Sequence, residues 1–323
     1  MTISWQFCQA KRDLAGALEH SRSAIEIVRE LTEAYPESVL LHRELAGSTS
    51  WLGEILRSSG DLRGSEKQYR ENREILERTT SLVPDDMVTR YQLGVSHYKL
   101  GLALELQGDF SAAGAEYEKA RAVNSALVQR DPRNAEWELE LAVDQQRSGV
   151  IQASLGDLAA GSSNCEKALD RLVKLFELDP SNSGLARDTA MAFVDLGRVR
   201  LQAGLSRDAR SLAERAIGVL TPLQVSESDD RRNRRREAEA YLLAGATLAR
   251  EGRTEEAKAR WQQALSAVGP LAEGAREPLF LAALARTYQR LDHGDHAGPL
   301  LERLSDMGHR MPELEQLKKA KGV

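Results

Sequence analysis

The sequence is poor in cysteine and aromatic residues, and it contains no long apolar run. Cys8 and Cys165 are the two cysteines of a 323-residue chain, and neither belongs to a CxxC pair or a metal-ligand spacing. We therefore expect two buried free thiols rather than a disulfide. Aromatic residues make up 5% of the chain. No apolar stretch reaches the length of roughly 18 residues that a membrane helix needs, and the first residues do not resemble a signal peptide.

The charge balance and the missing motifs exclude several function classes. The net charge of −5 gives no bulk attraction to nucleic acid or to anionic membranes, so neither is expected as a partner. No Walker loop, GxSxG, HExxH or kinase signature occurs. We therefore predict a cytoplasmic protein that is not an enzyme, with no catalytic residue, no cofactor and no metal.

What the sequence does contain is a repeat of 48 residues, which three sets of residues mark independently. The first set of glycines is Gly60, Gly108, Gly156, Gly204 and Gly252. The second set lies seven residues upstream and consists of Gly53, Gly101, Gly149, Gly197 and Gly245. The prolines are Pro36, Pro84, Pro132 and Pro180. A fixed period of about 20 to 50 residues indicates a solenoid, a propeller or an array.

Each repeat is predicted to be a helix hairpin. In the central repeat, apolar residues around Gly101 recur at helical spacing, and Gly108 is placed to end that helix in a left-handed conformation. Asp109 can then cap the next helix, and Pro132 closes the unit. One face of the second helix carries, among others, Ala113, Tyr117 and Ala120.

The spacing of Gly101, Gly108, Ala113, Tyr117 and Ala120 resembles the tetratricopeptide repeat, whose usual period is about 34 residues. The 14 extra residues per unit lengthen each helix by about two turns, which keeps its buried face in phase. The resemblance implies an all-α, right-handed superhelical solenoid of antiparallel helix hairpins. Arrays of this kind are found C-terminal to kinase or DNA-binding domains in large bacterial signalling proteins. In the repeat, alanines are expected opposite the second glycine set, except at Asn72, and Tyr69, Tyr117 and Trp261 are expected to fill the space between units.

We expect a single solenoid over residues 1–323. It divides into an incomplete first repeat (1–38), five full repeats (39–277), a shortened repeat with Gly294 at its turn (278–311) and a C-terminal capping helix (312–323). The first hairpin lacks about half of its first helix. This suggests either that the chain is the C-terminal part of a longer protein or that it self-associates through residues 1–12.

The family resemblance also implies a partner-binding groove. In such proteins the first helices of the units line a concave face, and residues near the packing glycine point into it. Carried over by spacing, these residues are Glu54, Val95, Tyr98, Leu102, Val143, Gln146, Val150, Val194, Arg198 and Leu242. Their mainly apolar character favours a protein or peptide partner, bound as an amphipathic helix or an extended segment. The alternative is that the long helices pack tightly enough to bury them.

Two further clusters leave alternatives open. The basic run consists of Arg231, Arg232, Arg234, Arg235 and Arg236. It suits an acidic partner or, because no aromatic residues interleave with it, less well a nucleic acid, unless neighbouring acidic residues neutralise it. Residues 292–296, with the sequence DHGDH, could gather metal ligands, but this composition is also typical of a plain turn.

The function that the sequence favours is a non-catalytic protein–protein interaction scaffold that binds a peptide or helix in the groove. The alternative is a regulatory or oligomerisation arm of a larger bacterial signalling protein, a kinase or a DNA-binding regulator, whose N-terminal domain precedes residue 1.

Overall fold

A computed structural model describes residues 14–226 and 230–310, and these residues form thirteen α-helices and a short 3₁₀ turn. The helices of the first half are α1 (Leu14–Ala34), α2 (Val39–Ser59), α3 (Leu62–Leu82), α4 (Met87–Leu106), α5 (Phe110–Arg130), α6 (Ala135–Ser154) and α7 (Leu158–Leu178). Those of the second half are α8 (Ser183–Gln202), α9 (Ser206–Ser226), α10 (Arg231–Arg250), α11 (Thr254–Val268), α12 (Pro278–Arg290) and α13 (Gly294–Asp306). The described residues do not include Cys8, the segment 1–12 that was considered for self-association, or the predicted capping helix (312–323).

The first glycine set ends the helices as the sequence predicts. Gly60, Gly108, Gly156, Gly204 and Gly252 all have positive φ, between 79° and 102°. A side chain would strain this left-handed backbone, which glycine adopts freely. After the second of these glycines, the Asp109 carboxylate accepts a hydrogen bond of 3.0 Å from the Ala112 N–H and so caps α5. The turn between α12 and α13 differs from the expected one, because its left-handed residue is Asp292, with φ 60°, and Gly294 already belongs to α13.

The helices form two layers. The even-numbered helices α2 to α12 contact one another in succession and form the inner layer, while each odd-numbered helix from α3 to α13 packs on the outside against its neighbours in sequence. No strand occurs in the described ranges. The predicted all-α solenoid of antiparallel hairpins is confirmed. None of the described helices combines the length and the apolar character that crossing a membrane would require.

The second glycine set makes room for large side chains. A Cβ on Gly101 would lie 2.8 Å from a ring carbon of Tyr117, and one on Gly245 would lie 2.2 Å from the indole nitrogen of Trp261. Tyr117 is fully buried and belongs to one apolar cluster with Ile151 of the next hairpin. The ring therefore fills the gap over its own glycine as well as the space between units.

The α6–α7 hairpin uses a thiol where the preceding hairpin uses the ring of Tyr117. Cys165 is a buried free thiol, as predicted, and its Sγ would lie 2.7 Å from a Cβ on Gly149. That Cβ would also lie 2.8 Å from the carbonyl oxygen of Gly161. Since no side chain separates these two glycines, the backbones of α6 and α7 approach each other directly.

Asn72 interrupts the alanine series without leaving an unsatisfied amide. Its side chain is 3% exposed, and its Nδ2 donates a hydrogen bond of 2.6 Å to the carbonyl oxygen of Ala46 on α2. A buried polar side chain is tolerated when it is hydrogen-bonded. The expected loss of packing at this position is therefore offset by a bond between the helices.

The last hairpin returns to the first ones. Helix α12 contacts α2. After α13, the Met307 side chain lies against Gly60, within 3.0 Å of the position of a Cβ there. The Arg310 N–H donates a hydrogen bond of 2.9 Å to the carbonyl oxygen of Leu106. The solenoid thus curves far enough for its last described residues to pack against the region of α2 and α4.

Asp144 of α6 is a buried carboxyl with a single hydrogen bond. Its Oδ2 accepts 2.7 Å from the Nδ2 of Asn124, while its Oδ1 and the Oδ1 of Asn124 have no hydrogen-bond partner among the described residues. Burial raises the pKa of the Asp144 carboxyl well above its usual range, and the bond from Asn124 opposes this only in part. A group whose pKa is raised in the folded state stabilises the fold at low pH and loses this contribution as the pH rises.

We expect Asp144→Asn to stabilise the protein at neutral and alkaline pH. The amide has the same shape, does not ionise and can pair reciprocally with Asn124. Near pH 8 the variant should gain about 1 kcal/mol or more in unfolding free energy, and the gain should shrink toward about pH 3, where the wild-type carboxyl is largely protonated in both states. Thermal unfolding of both proteins over this pH range measures the effect. A gain that does not depend on pH would contradict the assignment.

Candidate partner-binding face

The predicted groove residues lie on one face of the inner helices, together with other residues at the same helical positions. We call this face the inner stripe. On α4 and α6 it consists of Tyr91, Val95, Tyr98, Leu102, Leu139, Val143, Gln146 and Val150. On α8 and α10 it consists of Arg187, Met191, Val194, Arg198, Arg235, Glu239, Leu242 and Ala246. These positions are spaced by three and four residues, so they share one side of each helix.

The predicted residues are only partly accessible. Gln146, Val194 and Leu242 are buried, and the other seven predicted residues are half-buried. Tyr98 stands near the middle of the stripe, where its ring centroid lies 5.8 Å from that of Tyr117. Burial raises the pKa of its hydroxyl to about 12. The face is therefore a tightly lined concave surface rather than an open, fully exposed groove.

A row of alternating charges crosses this face from helix to helix. We call it the ion-pair row, and its members are Glu105, Arg147, Asp195, Arg198, Glu239 and Arg286. They belong in turn to α4, α6, α8, α8, α10 and α12. Since each contact except the one within α8 joins two successive inner helices, the row ties the inner layer together.

The carboxylates of the ion-pair row accept hydrogen bonds from the arginines beside them. Arg147 donates to Glu105 over 3.3 Å and also pairs with Asp195. Asp195 accepts a second bond of 2.7 Å from the Nε2 of Gln146. Arg198 lies 3.3 Å from the other oxygen of Asp195. Buried charges persist when they are paired and hydrogen-bonded in this way.

Glu239 receives two arginines. Its Oε1 accepts a bond of 2.5 Å from Arg286, and its Oε2 accepts one from Arg198. Burial by itself would raise the pKa of this carboxyl, but the charges of Arg286, Arg198 and Arg235 outweigh burial and hold the pKa below its usual value. Glu239 is therefore an anion at neutral pH, and both of its oxygens are engaged.

The ion-pair row is the part of the site that sequence reasoning missed. The groove prediction stopped at positions known from the family, whereas Arg147 and Asp195 follow the predicted Gln146 and Val194 by one residue each. They occupy equivalent positions in successive repeats and carry opposite charges. The opposite charges of Arg147 and Asp195, 48 residues apart, were the signal in the sequence for this one pair, and the other pairs of the row follow no such step.

The basic run does not form a single patch. Arg231 turns to the loop after α11, where its Nε and Nη2 donate to the carbonyl oxygens of Leu271 and Glu273 over 3.1 and 2.7 Å. Arg234 donates 2.9 Å to Glu237 on its own helix. Arg232 is exposed. These three side chains therefore have different environments, namely a loop, their own helix and solvent.

Arg235 and Arg236, in contrast, belong to the inner layer. Arg236 lies 3.8 Å from Asp188 of α8, and the pKa of its guanidinium is lowered by burial, with Asp188 acting in the opposite direction. Arg235 is a member of the inner stripe, one turn before Glu239. The structure therefore divides the run between the surface and the concave face.

The two histidines of the turn at residues 292–296 make aromatic ring contacts. His296 stacks on Tyr288 with ring centroids 5.1 Å apart, and the centroids of His293 and His296 are 6.3 Å apart. Within residues 14–226 and 230–310, no group of three or more His, Cys, Asp or Glu side chains is placed to hold a metal ion. The positive φ of Asp292 is the backbone feature that shapes the turn.

Comparison of the fold with solved structures identifies its class. No protein-family model and no curated protein sequence matches the chain. BtubC (BKLC) from P. vanneervenii is 18% identical with a TM-score of 0.59, over 80% of this chain and 92% of that one. Apo RapI is 12% identical with a TM-score of 0.59, over 94% and 95%. The Rap conjugation regulator of plasmid pLS20, in complex with the Phr* peptide, is 15% identical with a TM-score of 0.58, over 83% and 64%.

Identities this low carry information on the fold alone. The glycine-ended hairpins, the two helical layers and these structural neighbours agree with one another. The chain is a tetratricopeptide-repeat-like helical solenoid, with hairpins longer than the usual unit of about 34 residues.

Proposed function

We propose that the protein is a non-catalytic scaffold that binds a peptide or helical segment of a partner protein along the inner stripe. The observation that carries this proposal is the combination, on one concave face, of half-buried apolar side chains with the ion-pair row. Tyr98, Leu102 and Val150 offer apolar contact area, while the charges beside them can fix the direction of a bound segment. Such a mixture of apolar anchors and a few polar groups is typical of peptide-binding sites.

Two structural neighbours support the choice of a peptide as ligand. The Rap regulator of pLS20 is in complex with the Phr* peptide, and a second Rap protein, with a TM-score of 0.53, is complexed with the competence and sporulation factor. Both share the helical solenoid with this chain. Peptide binding on the inner stripe is our proposal for the present protein.

The alternative function, an arm of a larger signalling protein, has one supporting observation. Ile27 and Leu31 of α1 are large apolar side chains, 59% and 42% exposed. Exposed apolar residues close together suit a neighbouring domain or a second copy of the chain. Sedimentation of the wild-type chain, which serves as a control in the binding experiment, separates a self-associating arm from a monomeric scaffold.

Glutamate substitutions in the inner stripe should abolish peptide binding. The probes are dodecapeptides selected from a random displayed library on the wild-type protein. Because Tyr98→Glu and Val150→Glu each place a charge among apolar contacts, each should weaken binding by at least about thirtyfold. Leu178→Glu is the matched control, since Leu178 is 83% exposed at the end of the outer helix α7.

The control variant should bind like the wild type, and all variants should retain the helical circular dichroism and the sedimentation coefficient of the wild type. If peptides still bind both inner-stripe variants at wild-type strength, the inner stripe is not the binding face. If the library yields no binder, the scaffold proposal fails.

A further inference from the structure

Arg235 holds an unusual position on the inner stripe. It lies four residues before Glu239 on α10, the spacing at which an arginine and a glutamate on a helix normally pair. Both oxygens of Glu239 are already engaged, one by Arg286 and one by Arg198. Within the described part of the chain, the Arg235 guanidinium has no ion pair and no hydrogen bond.

The charges around Arg235 do not balance. The ion-pair row contains three carboxylates and three guanidinium groups, so it is neutral as a whole. Arg235 adds a positive charge beside it. The next residue, Arg236, faces Asp188 at 3.8 Å and therefore brings no spare anion. The concave face at α10 carries one guanidinium more than its carboxylates neutralise.

The environment of Arg235 makes its unpaired positive charge energetically unfavourable when no partner is bound. Burial lowers the pKa of its guanidinium to about 10, and repulsion by Arg236, Arg286 and Arg198 acts in the same direction, while Glu239 opposes it. The group remains charged at neutral pH. An anion that reached it would replace lost hydration in a partly desolvated place, where charge-assisted hydrogen bonds are strong.

We propose that Arg235 receives a carboxylate of the bound segment, either an Asp or Glu side chain or a C-terminal carboxylate. The planar guanidinium offers two parallel N–H donors that match the two oxygens of a carboxylate. Because Arg235 shares the inner stripe with Leu242 and Glu239, a segment lying along this face can place its acidic group there while its apolar residues reach the middle of the stripe. The proposal rests on the proposed function and adds to it that the partner segment is acidic.

The fixed carboxylates of the face sharpen this selectivity. Asp195 and Glu239 already engage Arg147, Arg198 and Arg286, so an incoming anion finds these three guanidinium groups occupied and Arg235 unpaired. A basic segment, in turn, would meet Arg235 and Arg236 without a free carboxylate to pair with. The charge pattern therefore favours a segment with one acidic group at a defined place over a uniformly charged one.

Arg235→Gln tests the proposal, and Arg232→Gln is its matched control. Both variants remove one guanidinium from the first half of α10, but Arg232 is exposed and Arg235 lies on the inner stripe. Random dodecapeptides are selected separately on the wild type and on each variant. Pools from the wild type and Arg232→Gln should be enriched in Asp and Glu, and the pool from Arg235→Gln should not be.

A peptide from the wild-type pool should bind Arg235→Gln about tenfold or more weakly, the effect of losing a hydrogen bond to a charged group, and Arg232→Gln within about twofold. The affinity of Arg235→Lys, which keeps the positive charge but not the two parallel N–H donors, should lie between those of the wild type and Arg235→Gln. Because the substitution removes a surplus, partly desolvated cation, Arg235→Gln should melt no lower than the wild type. Equal binding by the wild type and Arg235→Gln would overturn the inference.

The outcomes separate this inference from the proposed function. If Val150→Glu abolishes binding and Arg235→Gln does not, the scaffold proposal stands and the carboxylate site is wrong. If no peptide is selected, titration with glutarate and with inorganic phosphate decides, followed through the Nε–Hε NMR resonances of the arginines. A saturable glutarate shift that Arg235→Gln lacks supports the site. No shift, or a stronger response to phosphate, overturns it.

Discussion

Replacing Asp195 with alanine should lower the unfolding free energy by about 3 kcal/mol, because it leaves two half-buried arginines without the buried carboxylate that they share. Asp195 is 3% exposed and binds Arg147 and Arg198, which belong to two neighbouring inner helices. Its removal also leaves the buried amide of Gln146 without its acceptor. Breaking a buried pair from one side costs more than the pair itself contributes, since the remaining charge cannot regain its hydration.

Glu256→Ala is the control for this prediction. Glu256 also pairs with an arginine, Arg253, at 2.6 Å, but both side chains are exposed on the outer layer. Exposed ion pairs contribute little, so the melting temperature of this variant should match that of the wild type. Urea unfolding monitored by circular dichroism compares the two variants. An Asp195→Ala protein as stable as the control would show that the ion-pair row does not stabilise the inner layer.

Gly149→Ala should also be strongly destabilising, by about 3 kcal/mol, because it forces apart two helix backbones that touch. The new Cβ would lie 2.7 Å from the Cys165 Sγ, 2.8 Å from the Gly161 carbonyl oxygen and 2.9 Å from the Cys165 backbone nitrogen. Two of these atoms belong to the backbone of α7 and cannot rotate away. The gain of about 1 kcal/mol in helix propensity for alanine over glycine is too small to offset this.

The same substitution at another helical glycine should have the opposite sign. Gly218 of α9 has no atom within 4 Å of an added Cβ, so Gly218→Ala should stabilise the protein by about 0.5 to 1 kcal/mol. Thermal unfolding of both variants, side by side, measures the difference. If both alanine variants shift stability in the same direction, the close approach of α6 and α7 does not determine the role of Gly149.

The sequence was most informative at positions where the backbone conformation requires one particular type of residue. The recurring glycines located the left-handed helix ends, and Asp109 was recognised as a cap because its position after Gly108 leaves it little other role. Where the last hairpin uses Asp292 instead of glycine, the same rule failed, and the turn was placed at Gly294. A non-glycine residue can adopt this conformation at some cost, so the composition of the turn alone did not locate it.

The candidate site was less predictable because its charges pair across repeats. Whether Arg198 faces a partner or its neighbours depends on which acids lie opposite it, and Asp195 and Glu239 are identified as those acids only once the inner helices are packed. The curvature of the array, which decides how exposed Tyr98 is, depends on small rotations between units that no single residue determines. The groove residues and the acidic-partner role of the arginines remain predictions.

The contacts of Met307 with Gly60 and of Arg310 with Leu106 alter how such an array should unfold. In an open array each unit touches only its neighbours, so the terminal units fray independently and unfolding proceeds in steps. Here the final turn is anchored on the second and third hairpins, more than 200 residues earlier. Opening of the last hairpin must break this long-range anchor, which raises the contact order and couples that hairpin to the second and third ones in one cooperative unit.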